Sequence, residues 1–210
     1  MKPCIEARPR ILALVLALTL AGCAGAPPPA PPPSDPGPAA AQVPAAPPST
    51  AAQMHFDAAL NLMRRGLDEE AATSFFAMSR AYPDFTAPLL NLAILRAKAG
   101  RTSEAESALL QALERDPRNV LACNMLGVLY RDAGRFEEAR QAYERALAID
   151  SSAADTHRNL GILYDLYLQE PRKALVHYEL YRRHGGEESA EVERWLADIR
   201  QRLAAEGGGR

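Results

Sequence analysis

An all-α protein made of stacked helix hairpins is predicted by three features of this 210-residue chain. Landmarks recur in fixed phase: Gly66, Gly100 and Gly134 stand 34 residues apart, and Ala71, Ala105 and Ala139 keep the same interval. Each period holds two amphipathic stretches of about 14 residues whose apolar positions follow helical spacing. Finally, 48% of residues are hydrophobic but only 6% aromatic. Ala and Leu therefore dominate, and they favour close-packed helices over sheets.

Taken in order, the first 22 residues read as a signal peptide. Lys2, Arg8 and Arg10 precede the apolar run Ile11 to Leu20, and small residues follow at once. That is the layout of a secretory signal, and ten helical residues rise only about 15 Å, half a bilayer core. The next motif, Leu20-Ala21-Gly22-Cys23, resembles the lipobox of bacterial lipoproteins. The resemblance implies cleavage before Cys23 and acylation of that residue, with two or three chains together holding the protein on a membrane. Ala24 rather than Asp at the next place implies sorting to the outer membrane, facing the periplasm. Loss of three basic and one acidic residue with the signal takes the formal charge from −2 to −4. Neither value provides the basic field that non-specific nucleic-acid binding requires.

Residues 23–51 read as a tether. Eleven of the 17 prolines lie between Pro27 and Pro48, and Asp35 is the one charged residue there. Such a segment buries too little to offset chain entropy, and its prolines favour an extended polyproline form. Of the three cysteines, Cys4 leaves with the signal, Cys23 is the lipid site, and Cys123 is left without an intrachain partner. No disulfide framework is expected, so stability must come from packing.

Four hairpins follow, over 52–85, 86–119, 120–153 and 154–186. In the first three, Gly66, Gly100 and Gly134 suit a positive-φ helix end, and Pro83, Pro117 and Ser151 mark the break before the next repeat. Small residues at Ala59, Ala93, Gly127 and Gly161 on first helices face Ala71, Ala105, Ala139 and Ala174 on second helices, letting backbones approach. Larger residues fill the adjoining space: Leu92, Leu126 and Leu160, with Phe75, Leu109, Tyr143 and Tyr178. The fourth hairpin needs one extra residue to bring Ala174 into register, lacks the turn glycine, and has Tyr181 where a small residue is usual. After Gly185-Gly186, residues 187–210 form a helix with Val192, Trp195, Leu196, Ile199 and Leu203 on one face, ending in a frayed Gly-Gly-Gly-Arg tail near Gly207. Its expected role is to cap the open end of the stack.

The run Leu126-Gly127, Tyr130, Gly134, Phe136, Ala139, Tyr143, Ala146, Leu147 resembles a tetratricopeptide repeat at nearly every signature position. Residues 86–119 match through Leu92, Ala93, Gly100, Ala105, Ala112 and Pro117, and 52–85 match more loosely, with Met78 at a small-residue place. The resemblance implies a right-handed superhelix of about four hairpins. It also implies a concave face of first helices that binds extended peptides or helices.

Chemistry-bearing patterns are missing from the sequence. It contains no Gly-x-Ser-x-Gly, His-Glu-x-x-His, Cys-x-x-Cys or phosphate-binding glycine loop. His55, His157, His177 and His184 do not follow a metal-ligand spacing, and His177 and His184 read as neighbours along one helix. The pairs Glu69-Glu70 and Glu137-Glu138 read as favourable charge on the first turn of second helices. Cys123 reads as a buried structural thiol. An enzyme is therefore not expected, nor any cofactor beyond the lipid on Cys23.

By register, the groove should be lined by Phe56, Leu60 and Met63, then Leu90, Asn91, Ile94 and Lys98. The third repeat adds Leu121, Asn124, Val128, Arg131 and Asp132; the fourth adds Arg158, Ile162 and Asp165. Leu60, Ile94, Val128 and Ile162 form an apolar row with a 34-residue interval. Such a row suits an amphipathic helix or strand-like peptide better than a clamp for a terminal carboxylate. The sequence reads as a membrane-anchored adaptor for a protein or peptide partner in the envelope; it does not fix the oligomeric state, a monomer being favoured. Similar lipoproteins serve as pilotins and assembly factors for type IV or Tad pili and secretins; the alternative is a scaffold for cell-wall or polysaccharide export.

Overall fold

Residues 49–185 and 190–208 are described by the structure, a computed structural model. The signal, Cys23, the tether through Pro48, Gly186 to Ser189 and the last two residues lie outside them. The described residues form nine α-helices and no strand. Four hairpins pair α1 (Thr50–Arg64) with α2 (Asp68–Ala81), α3 (Ala87–Lys98) with α4 (Thr102–Arg115), α5 (Val120–Asp132) with α6 (Phe136–Ile149), and α7 (Ala154–Ile162) with α8 (Pro171–Arg183). The single helix α9 (Ala190–Gly208) closes the series.

Two boundaries differ from the sequence expectation. Helix α1 begins at Thr50, inside the stretch assigned to the tether, because the Ser49 hydroxyl accepts the Ala52 N–H at 3.2 Å and caps the first turn. Helix α9 runs on through Gly207 and Gly208, which were expected in a frayed tail.

The repeat glycines act as anticipated. Gly66, Gly100 and Gly134 have φ of 77°, 72° and 76°. Around each, a pair of hydrogen bonds closes the first helix: the glycine N–H reaches the carbonyl three residues back, and the next N–H the carbonyl five back, as in Arg135 to Tyr130 at 2.8 Å. Between repeats, the Asp116 carboxylate accepts the Arg118 N–H and the Asp150 carboxylate accepts the Ser152 N–H, so the Asp-Ser break folds as the Asp-Pro break does.

The fourth hairpin absorbs its extra residue in a π-helical turn, Leu163–Tyr167, that continues α7. There the Glu170 N–H reaches back six residues to the Tyr164 carbonyl, one more than the equivalent bond in the other repeats. Gln169 takes the left-handed position otherwise held by glycine, with φ of 55°.

Side-chain packing falls into two buried clusters. One gathers Leu, Ala, Met and Phe75 mainly from α1 to α5. The other spans α6 to α9 and contains Tyr143, Tyr164, Tyr178 and Tyr181 with Val192, Leu196 and Ile199 of the terminal helix. Helix α9 thus caps the stack. Trp195 is half-buried, its ring 5.3 Å from that of Tyr178, and the pairs Arg182–Glu193 and Arg200–Glu179 fasten α9 to α8.

Candidate peptide-binding groove

First helices supply the groove because the second helix of each hairpin covers their small-residue face and leaves the opposite side open. Of the apolar row, Ile94 is 42% exposed, whereas Leu60, Val128 and Ile162 are half-buried and pack against the core clusters. Between α3 and α5 the surface sinks into a depression of about 240 Å³, walled by Ile94, Ala97, Leu109, Met125, Val128 and Asp132. Met125 and Ala97 were not anticipated as lining; they come from the neighbouring helical positions that turn inward between repeats. A larger hollow of about 460 Å³, framed by α2, α3 and α4 under Phe76, has Arg96, Ser103, Glu104 and Gln111 around it and touches no residue of the row.

Residues assigned to the groove divide into free and engaged groups. Leu121 is 55% exposed, and Phe56 and Met63 are half-buried, Phe56 packing against Phe75 and Phe85. Leu90, at 7% exposure, belongs to the floor. Asn91 donates to the Ala87 carbonyl at 3.0 Å, and Asn124 accepts from Asn159 at 3.0 Å, tying α5 to α7 across the floor. Lys98 pairs with Asp68 at 2.6 Å, Arg131 with Asp132 at 2.9 Å, and Arg158 lies 3.5 Å from Asp155 and over the Tyr181 ring. Asp165 is held by Arg202 of α9 at 2.6 Å, and its side chain is only 8% exposed. What stays open is apolar, with ion pairs at its margin.

The carboxylate pairs are structural. Glu69 meets Arg96 and Arg101 of the next hairpin. Glu137 is held down at about 2 by hydrogen bonds from Arg140 and then Gln141, and Glu138 is lowered by Arg135. Arg135 also binds Glu106 at 2.7 Å and lies over the Tyr130 ring at 4.2 Å. That contact holds the Glu106 carboxyl below its ordinary range, while burial and the Glu106 hydrogen bond push the Tyr130 phenol up to about 12. Glu69 and Glu106 thus tie successive hairpins together through arginines, whereas Glu137 and Glu138 pair with arginines three residues away. Cys123 is 1% exposed and burial raises its thiol above the ordinary value, which keeps it protonated and unreactive.

Sequence spacing missed one cluster altogether. His157 of α7, His177 of α8 and His184, the residue that follows α8, converge at the end of the fourth hairpin, with the His157 and His177 Nδ1 atoms 3.0 Å apart and the His184 ring stacked on His157 at 5.7 Å. No group of three or more His, Cys, Asp or Glu side chains among the described residues is arranged to hold a metal ion.

Hairpins of this geometry, stacked in series with a capping helix, define a helical-repeat solenoid. Residues 90–154 match the family model described as tetratricopeptide repeat. Solved structures of the same fold include PilF of Pseudomonas aeruginosa, with 22% identity and a TM-score of 0.65 over 74% of this chain and 70% of that one. MamA from Desulfovibrio magneticus is 19% identical, with a TM-score of 0.61 over 74% of this chain and 86% of its own. A tetratricopeptide repeat protein from Parabacteroides merdae is 21% identical, with a TM-score of 0.60 over 72% and 61%. No curated protein matches the sequence. No helix among the described residues is long and apolar enough to cross a membrane.

Proposed function

We propose that the chain is a lipid-anchored adaptor of the bacterial envelope that holds an amphipathic segment of one partner protein in its first-helix groove and assists assembly of a pilus or secretin. The observation that carries the reading is the open apolar row through Ile94 and Val128 beside the depression between α3 and α5. An apolar stripe flanked by ion pairs fits the stripe of a helix or the alternate side chains of an extended segment. Attachment through Cys23 to the outer membrane, facing the periplasm, is supported by Leu20-Ala21-Gly22-Cys23 and by Ala24. The likeness to PilF, whose name points to pili, favours a pilus over cell-wall machinery as the place to look.

The test combines both halves of the reading. Cross-linking in intact envelopes should capture one partner with the wild type, and the pair Ile94→Glu and Val128→Glu should weaken that capture at least about 30-fold, as loss of a binding hot spot of about 2 kcal/mol does. Helicity should be unchanged, because both side chains face the opening. Capture by the doubly charged variant would overturn the groove. Cys23→Ala should move the protein out of the membrane fraction, and a membrane-bound, acylated Cys23→Ala protein would overturn the anchor.

A further inference from the structure

At the end of the fourth hairpin the chain buries one imidazole and half-buries a second, where the other three hairpins bury none. His157 is 4% exposed, and its Nε2–H donates to the Ser151 carbonyl at 3.1 Å. That bond leaves Nδ1 of the neutral ring as an acceptor, and the partner at 3.0 Å is Nδ1 of His177. The ring centroids lie 5.3 Å apart, so the two nitrogens point almost directly at each other and share one proton between them. Tyr164 stacks on His177 at 5.6 Å and carries the Lys173 ammonium 5.0 Å from the centre of its own ring. Asp150, from the turn between α6 and α7, and His184, from the end of α8, are the charged or titratable groups facing His157.

We propose that the His157–His177 pair is an acid-sensitive latch: neutral, it clamps α7 to α8; protonated, it releases the fourth hairpin together with the α9 cap. A first added proton charges a pair of which one ring is buried and the other half-buried. A second sets one N–H donor head-on against another at hydrogen-bond distance, with no acceptor left between them. Burial lowers the affinity of both rings for a proton, His177 down to about 4, with the His157 charge adding to the effect. Asp150 works the other way on His157; it stays anionic because Ser152 bonds to it, but it faces only one ring of the pair. The sign follows from linkage. In the unfolded chain both rings take up protons at the ordinary histidine value of 6.5, whereas in the latched hairpin His157 does so at lower pH and His177 only at about 4, so the clamp is complete at neutral pH and is lost as pH falls through that window.

Release is local and has a built-in reporter. Trp195 is the only tryptophan of the chain, and it rests on Tyr178 of α8. On the full chain, acidification from pH 7 towards 4.5 is expected to shift Trp195 emission to the red and to strip hydrogen-exchange protection from α7, α8 and α9 while α1 to α4 stay protected. His177→Asn keeps a donor near Nδ1 and cannot be protonated in this range, so it should abolish the shift. An identical acid response in His177→Asn, or uniform loss of protection along all helices, would overturn the latch. Should the variant not fold, ring titrations of the wild type decide instead: His157 and His177 titrating together near 6.5, with Trp195 unchanged, sinks the proposal. Titration well below that value, in step with Trp195, upholds it.

Discussion

The two core clusters solve one packing problem in two ways. In the first, the pairs Ala59 with Phe75 and Ala93 with Leu109 fill the space between first and second helices. In the second, the first-helix residue shrinks to glycine and the second-helix residue grows: Tyr143 lies against Gly127 and Tyr178 against Gly161, where an added Cβ would fall 2.3 Å and 2.6 Å from the ring. Volume moves from one helix to the other and the hairpin stays closed. The consequences differ. The tyrosine pairs bring phenols into the core, and the Tyr143 hydroxyl is buried without a hydrogen-bond partner. They also provide an aromatic platform on which the cap can rest. Tyr178→Ala should therefore be the most damaging single change in this half, about 3 to 5 kcal/mol by denaturant unfolding, because it empties the space over Gly161 and removes the ring under Trp195. A smaller loss, with Trp195 emission unchanged, would mean that α9 docks independently of the pair.

Exchanging one solution for the other tests the trade directly. Gly127→Ala brings a methyl into the Tyr143 ring, which is 0% exposed and has nowhere to move. The expected destabilisation is about 1 to 3 kcal/mol, even though alanine is the better helix former by about 1 kcal/mol. Adding Tyr143→Leu recreates the Ala93 and Leu109 arrangement of the second hairpin and should recover most of the loss; it also removes the orphaned hydroxyl. Melting curves of the single and double variants decide the matter. A double variant no more stable than Gly127→Ala alone would show that the hairpins are not interchangeable at this pair.

Much of this architecture was legible in the sequence because periodic burial leaves a periodic trace. Glycines at a positive-φ position, alanines at a close approach and the apolar row each depend on one hairpin repeating its geometry, and a residue type at a fixed interval records that. What could not be read depends on contacts between different intervals. Asp165 reads as a groove residue by register, but Arg202 reaches it from the cap, 37 residues away. Lys98 likewise pairs with Asp68 of the preceding hairpin. The histidine pair joins residues 20 apart across a turn of irregular length, which no ligand motif covers. The extra residue of the fourth hairpin was visible as a shift in register. Its form was not, since one inserted residue can enter a helix as a π turn or lengthen the loop with the same sequence count.

That insertion yields the smallest and sharpest contrast between the halves. Gln169 occupies, with φ of 55°, the conformation that Gly66, Gly100 and Gly134 hold in the regular repeats. An L-residue with a Cβ is disfavoured there by roughly 1 to 2 kcal/mol, and glycine is not, although glycine loses more chain entropy on folding. The two effects oppose each other, and the steric one is larger. Gln169→Gly should therefore raise stability by about 0.5 to 1 kcal/mol, read as an upward shift in the denaturation midpoint with an unchanged slope. The reverse change, Gly134→Gln, should lower it by a similar amount, because an added Cβ meets nothing within 4 Å there and only the backbone conformation is at stake. If Gln169→Gly destabilised the protein instead, the strain would have to be relieved by contacts of the glutamine side chain, and the π turn would owe its position to those contacts rather than to the inserted residue.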